Sequence, residues 1–157
     1  MPRLRGLADS PYAEALRLLS RRELSEAQLR QRLARRGHEP ESIDTVIARL
    51  KADRSIDDAR VAEVIARSET SLRKRGPHRV RRRIEAAGIA SATAKAAVDA
   101  AFRDIDDGAL MAAALDKRLR GRTTIADERE FQRLYRFMIG QGFDSDRVLA
   151  LLRTRKA

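Results

Sequence analysis

The chain has 157 residues, of which 43% are hydrophobic and 36% charged but only 4% aromatic, with no tryptophan and no cysteine. Its net charge of +11 and pI near 11.1 favour a polyanion or an acidic protein surface as partner. The lack of cysteine excludes disulfides and thiolate metal sites, and two histidines forty residues apart offer no metal pair.

Residues 1–10 read as a flexible arm. It carries Arg3 and Arg5 but no apolar signal-peptide core, and no stretch of the chain has the apolar length of a membrane span. A soluble, cytoplasmic monomer is expected. A first unit over 11–54 opens near Pro11 with Tyr12, Ala15, Leu16 and Leu19 on one helical face. Ser25 caps a second helix that carries Leu29 and Leu33 and stops at Gly37. Pro40 starts a third, with Ile43, Val46, Ile47 and Leu50.

The second unit, 55–104, opens with Asp57 as N-cap of a long helix bearing Val61, Val64, Ile65 and Leu72. Gly76-Pro77 breaks and restarts the helix, which carries Val80, Ile84 and Ala87 as far as Gly88; Ser91 then caps an alanine-rich helix. That last helix offers little to bury, so the middle unit is expected to lean on its neighbours. The third unit, 105–157, starts at Asp106-Asp107, carries Leu110, Met111, Leu115 and Leu119, and breaks at Gly121. Its second helix, with Phe131, Leu134, Tyr135, Phe137 and Met138, ends at Gly142-Phe143, and Asp144 or Ser145 caps the last.

The three terminal glycines, Gly37, Gly88 and Gly142, lie about fifty residues apart in matching surroundings. Leu29, Val80 and Leu134 precede them by eight residues; Leu33, Ile84 and Met138 precede them by four. An i, i+4 apolar pair ending at glycine describes a helix with a buried stripe and a left-handed C-cap. The fold class is therefore all-α, a tandem array of three three-helix units. Arrays of this kind present a long surface, which puts binding ahead of catalysis.

Basic residues cluster. Seven of the eleven residues from 73 to 83 are Arg73, Lys74, Arg75, Arg79, Arg81, Arg82 and Arg83, with no acid among them. On the helix from Pro77, Arg79, Arg82 and Arg83 form a stripe beside the packing face. Such a stripe can follow a phosphate backbone or meet carboxylates in bidentate pairs; a solvated face is the plainer alternative. A second run is Lys117, Arg118, Arg120 and Arg122; a helix C-terminus also favours such cations. His38 takes the place of Ile89 and Phe143 in the other units and fits half-buried packing. Asp57-Asp58 is explained by helix capping. No nucleophile with a base, no glycine-rich phosphate loop and no cofactor motif is present, so no enzyme is expected.

Residues 15–25, ALRLLSRRELS, with Leu29 and Leu33 after them, resemble the opening motif of the bacterial RecX regulatory proteins. Ile56-Asp57-Asp58-Ala59-Arg60-Val61-Ala62, Gly76-Pro77-His78-Arg79-Val80 and Phe137-Met138-Ile139 with Gly142-Phe143 resemble further motifs of that family, in its order and spacing. Two departures stand out: Val61 where the family usually has Phe, and Gly140-Gln141 in place of a basic pair. The resemblance implies tandem three-helix modules in an elongated, curved arrangement that associate with the RecA recombinase filament on single-stranded DNA and inhibit its ATPase and strand exchange. A stand-alone, non-specific DNA-binding helical module is the alternative, because the basic helix offers little to read base edges.

Overall fold

The computed structural model describes residues 10–157; the expected arm lies outside them except for Ser10, whose hydroxyl accepts from the Ala13 amide and caps the first helix. Nine helices follow: α1 Pro11–Leu19, α2 Glu26–Arg35, α3 Pro40–Ala52, α4 Asp58–Ser71, α5 Pro77–Ala86, α6 Ser91–Phe102, α7 Asp107–Leu119, α8 Glu128–Gly140 and α9 Ser145–Thr154. No strand forms among the described residues. A single parallel bridge joins Ile125 to Lys156 and ties the α7–α8 connection to the C-terminal end.

The helix ends follow from local chemistry. Proline opens α1, α3 and α5 at the position where its missing N–H costs nothing. Ser25, Asp57, Asp106, Asp127 and Asp144 each cap a helix by accepting from a backbone amide two or three residues on. Ser91 does not: Ala90 is the N-cap of α6, and Ser91, as first helical residue, turns its hydroxyl to Glu85 and Arg81 instead.

Three separate clusters of buried side chains make the core. The first joins Leu24, Leu29, Leu33, Ile47 and Leu50, and includes Ile56, beyond residue 54. The second centres on Val61, Ala62, Ala66, Val80, Ile84 and Val98; the third on Leu115, Leu119, Leu134, Met138 and Leu152. Every extensive helix–helix contact lies within one of these groups. The middle cluster owns its core, contrary to expectation: Ala94 and Ala97 let α6 lie close against α4, which makes small side chains an asset there. Leu16, Val64 and Leu72 are exposed, Leu72 at 78%, so they do not belong to the buried faces assigned to them. On α4 the inward face is turned to Ala62, Ala66, Glu69 and Thr70.

Neighbouring groups meet at narrow joints built twice on one plan. The N-terminus of α2 abuts the C-terminal end of α5: the Ser25 hydroxyl donates to the Ala87 carbonyl, and the Glu26 amide donates to Asp58 Oδ1 at 2.9 Å. The N-terminus of α5 abuts the C-terminal end of α8 in the same way: the Gly76 amide donates to the Gln141 carbonyl at 2.8 Å and the His78 amide to the Gly142 carbonyl at 3.1 Å. The middle helices thus run head to tail, each partly positive N-terminus against a partly negative C-terminus. Gly37, Gly88 and Gly142 all adopt the left-handed conformation that the spacing predicts, with φ of +85°, +79° and +95°. Two of them do more. A Cβ on Gly88 would lie 2.4 Å from the Ala27 Cβ, and one on Gly142 would lie 2.3 Å from the Arg79 nitrogen, whereas nothing lies within 4 Å at Gly37.

Candidate functional site

The second joint decides what the basic residues can do. Arg75 donates from Nη1 to Gln141 Oε1 at 2.8 Å, and Arg79 donates from Nη1 to the Gly140 carbonyl at 2.8 Å. Both guanidiniums fasten α5 to α8. The Gly140-Gln141 pair, which in sequence only diminishes the positive charge of α8, supplies the acceptors for them. Burial, and then the neighbouring Arg79, push the Arg75 guanidinium below the ordinary arginine range.

Two more of the predicted cations are held within their own groups. Arg81 reaches Glu85 at 3.0 Å and the Ser91 hydroxyl at 2.8 Å. Arg122 makes a two-pronged pair with Glu130. The Glu130 carboxylate also accepts from the Ala126 amide at 2.8 Å. With the Arg122 hydrogen bonds as the leading cause, its pKa falls from the ordinary value near 4.5 to about 2. This buried carboxylate closes the α7–α8 connection, and its neighbours in sequence give no sign that it is inside.

What remains converges. The turn after α4 and the end of α7 face one another across a cleft of about 410 Å³ beside the second joint. Its lining brings together Arg73, Lys74 and Arg75 from the first basic run with Lys117, Arg118 and Arg120 from the second. No carboxylate lines it; the apolar part comes from Ala114 and Phe137. Arg118 stacks its guanidinium on the Phe137 ring, 5.0 Å from the centroid. Arg73 pairs with the buried Glu69 at 3.4 Å. Lys74, Lys117 and Arg120 are exposed, and their side chains have no hydrogen-bond or ion-pair partner among the described residues. Arg82 and Arg83 are likewise exposed, but they stand on α5 outside the cleft.

The expected stripe of Arg79, Arg82 and Arg83 is therefore divided: its first member is engaged in the joint and the other two face outward. Sequence reasoning does not bring residues 73–75 to residues 117–120, because the approach depends on the head-to-tail docking of α5 on α8. It also assigns Asp58 to helix capping alone, whereas its carboxylate crosses the first joint, and gives no role to Arg60, which pairs with Glu23 across it at 2.8 Å. His38 is half-buried, as its position after a C-cap implies. Among the described residues no group of His, Cys, Asp or Glu could hold a metal ion, and no helix is long and apolar enough to cross a membrane.

Comparison with known proteins accords with this architecture. Residues 12–50 match the family model for the first three-helix domain of RecX. The regulatory protein RecX of Halorhodospira halophila is 36% identical over 137 residues, covering 87% of this chain and 82% of that protein. That of Chromohalobacter salexigens is 36% identical over 141 residues, covering 88% of each. The crystal structure of RecX from Lactobacillus salivarius superposes with a TM-score of 0.72 at 20% identity, over 94% of this chain and 97% of that one. A second crystal structure, of a regulatory protein RecX, gives 0.72 at 21% identity. Both share its all-α helical-repeat fold. With more than a third of its residues identical to those relatives over most of both chains, the protein belongs to the RecX family of regulatory proteins.

Proposed function

We propose that this chain regulates the RecA recombinase by binding the RecA–single-stranded DNA filament and lowering its ATPase and strand-exchange activity. Membership of the RecX family carries the reading, and the repeated joint supports it. Two joints of one design hold three similar helical groups in series, and a filament is itself a series of similar protomers. An array whose groups reach successive protomers gains from effective concentration, because each contact after the first is intramolecular. Inhibition further requires that the array prefer one filament state over another, since equal affinity for both shifts nothing.

The reading assigns contacts by charge. The outward cations of α5, Arg82 and Arg83, would meet acidic protomer surface, and the cleft beside them would face the DNA. No catalytic role is assigned.

The test is ATP hydrolysis by RecA on preformed single-stranded DNA filaments with increasing substoichiometric amounts of the protein. Hydrolysis is expected to fall well below one copy per protomer. If it falls only when the protein rivals the DNA sites, competition for bare DNA explains the effect, and the alternative of a stand-alone, non-specific DNA-binding module takes its place.

A further inference from the structure

We infer that the cleft between the α4–α5 turn and the end of α7 is a binding site for the phosphodiester backbone of single-stranded DNA, with Lys74, Lys117 and Arg120 as its phosphate-contacting groups. The inference deepens the reading above and rests on it for the identity of the strand. Its chemistry stands on the cleft alone.

Three observations converge. First, six cations from two distant segments line one cavity that no carboxylate enters. Like charges gathered in this way repel one another, and a bound polyanion relieves that repulsion while releasing its own counterions. Second, among the described residues three non-glycine residues take positive φ, namely Arg54, Lys74 and Arg120. Two of these, at +53° and +52°, are the unpartnered cations on the facing turns of this cleft. Glycine would occupy either position without the Cβ penalty. Backbone strain retained beside a cavity is an observation from which function can be argued, and here it accompanies two long cationic side chains without a hydrogen-bond or ion-pair partner among the described residues. Arg120 is also the left-handed C-cap of α7, its amide donating to the Asp116 carbonyl at 3.1 Å, so its backbone ends the helix while its side chain stays unpaired; the carbonyl of the third, Arg54, accepts from Arg60 at 3.1 Å. Third, Arg75 Nε is buried with no hydrogen-bond partner, so one N–H of a guanidinium group belonging to the cleft lining is unsatisfied.

The shape selects among anions. A volume of about 410 Å³ falls in the range of pockets that enclose a small molecule. It admits one nucleotide-sized segment of a flexible strand, whereas a duplex can only lie across its mouth. The Arg118 guanidinium, held over the Phe137 ring, offers a planar cationic group against which a base can stack, a combination that holds single strands without regard to sequence. An acidic protein surface would use the guanidiniums but has no use for that stack, and so the strand is the better occupant.

The experiment uses the full chain and a fluorescein-labelled oligodeoxythymidylate, with anisotropy followed across a salt series and no RecA present. Lys117→Ala with Arg120→Ala should weaken binding and reduce the slope of log K against log salt by about 1.4, at about 0.7 for each phosphate of a single strand that is no longer neutralised. The charge-matched pair Arg82→Ala with Arg83→Ala should leave that slope unchanged. Equal weakening in both pairs would mean a diffuse basic surface and would overturn the site. A second variant separates binding from folding: Lys74→Gly with Arg120→Gly relieves both left-handed residues, so its melting temperature should equal or exceed that of the parent while oligonucleotide binding falls. A lower melting temperature would show that the side chains serve the fold and would refute the inference. Undiminished oligonucleotide binding, with inhibition of RecA abolished, would assign the cleft to protein carboxylates and also overturn it. If the unaltered protein binds the oligonucleotide through the cleft yet never inhibits RecA, the site stands and the regulatory reading fails.

Discussion

Replacing Gly142 by alanine tests the joint that creates the cleft. The backbone there has φ +95°, and the new Cβ would lie 2.3 Å from the Arg79 nitrogen, 2.4 Å from its Cβ and 2.9 Å from its Cα. These atoms belong to the first turn of α5 and have no flexible side chain to swing away. Gly37→Ala is the matched control, since φ is +85° and nothing lies within 4 Å. It carries only the left-handed penalty, about 1 kcal/mol. At Gly142 the overlap can be relieved only by pulling α5 from α8, which breaks four hydrogen bonds: two from the Gly76 and His78 amides and two from the Arg75 and Arg79 guanidiniums. At about 1 kcal/mol each, the joint contributes about 4 kcal/mol. Undocking therefore limits the destabilisation to about 5 kcal/mol, the left-handed penalty included.

The third group owns a separate core, so it should stay folded when the joint opens. Hydrogen exchange is the direct assay. In Gly142→Ala the Gly76 and His78 amides should exchange far faster, while the amides of α8 that face Met138 and Leu134 keep their protection. In Gly37→Ala neither set should change. Equal exchange at Gly76 and His78 in both variants would refute the head-to-tail joint as a stabilising contact, and global unfolding of the third group would refute its independence.

Other expectations can be checked on stability alone. Ser25 is fully buried and both caps α2 and donates to the Ala87 carbonyl, so Ser25→Ala should cost about 2 kcal/mol in urea unfolding, the upper end for removal of a cap. Glu130, held at about 2 in the folded chain against an ordinary value near 4.5, stabilises the third group fully above pH 4.5 and loses that contribution as pH falls toward 2. Glu130→Gln should flatten the acid limb of the thermal melt between those values, and an unchanged limb would mean the pair with Arg122 does not form in solution. Leu72→Ser, at a position 78% exposed, should alter stability by less than about 0.5 kcal/mol.

Helix positions are readable because their signals are local. Proline at N1, an acid or serine before most helices and glycine after several of them act through the nearest backbone groups, and the structure places most of these signals where the spacing indicates. Ser91 misleads for the same local reason in reverse: a hydroxyl before an alanine run fits a cap, but Glu85 and Arg81 offer it better partners. Leu72 shows another limit. Its spacing from Val61 and Ile65 suits the buried stripe, yet α4 turns Glu69 and Thr70 inward near its end. Charge runs are legible as composition, but which cations are free depends on contacts as remote as Arg75 with Gln141, 66 residues apart.

The glycines link these levels. A terminal glycine in the left-handed region is explained in full by helix capping, and at Gly37 that explanation is complete. At Gly88 and Gly142 the same residue type also removes the atom that would keep the next helix away. A single sequence feature thus ends one helix and seats another, and the angle between groups is set by backbone atoms. Backbone hydrogen bonds have little latitude in direction, so the joint fixes orientation more firmly than a side-chain contact of equal strength. In the second joint that orientation brings Lys74 across from Lys117 and Arg120. The charge of the cleft is therefore conditional on docking: opening the joint would disperse the six cations over two surfaces, and a ligand that needs them together would bind only the docked array. By linkage such a ligand stabilises the joint in turn. Oligodeoxythymidylate should accordingly slow exchange of the Gly76 and His78 amides in the unaltered protein, and it should bind Gly142→Ala more weakly although no cation has been removed. Equal binding to both proteins would break the connection between the joint and the cleft.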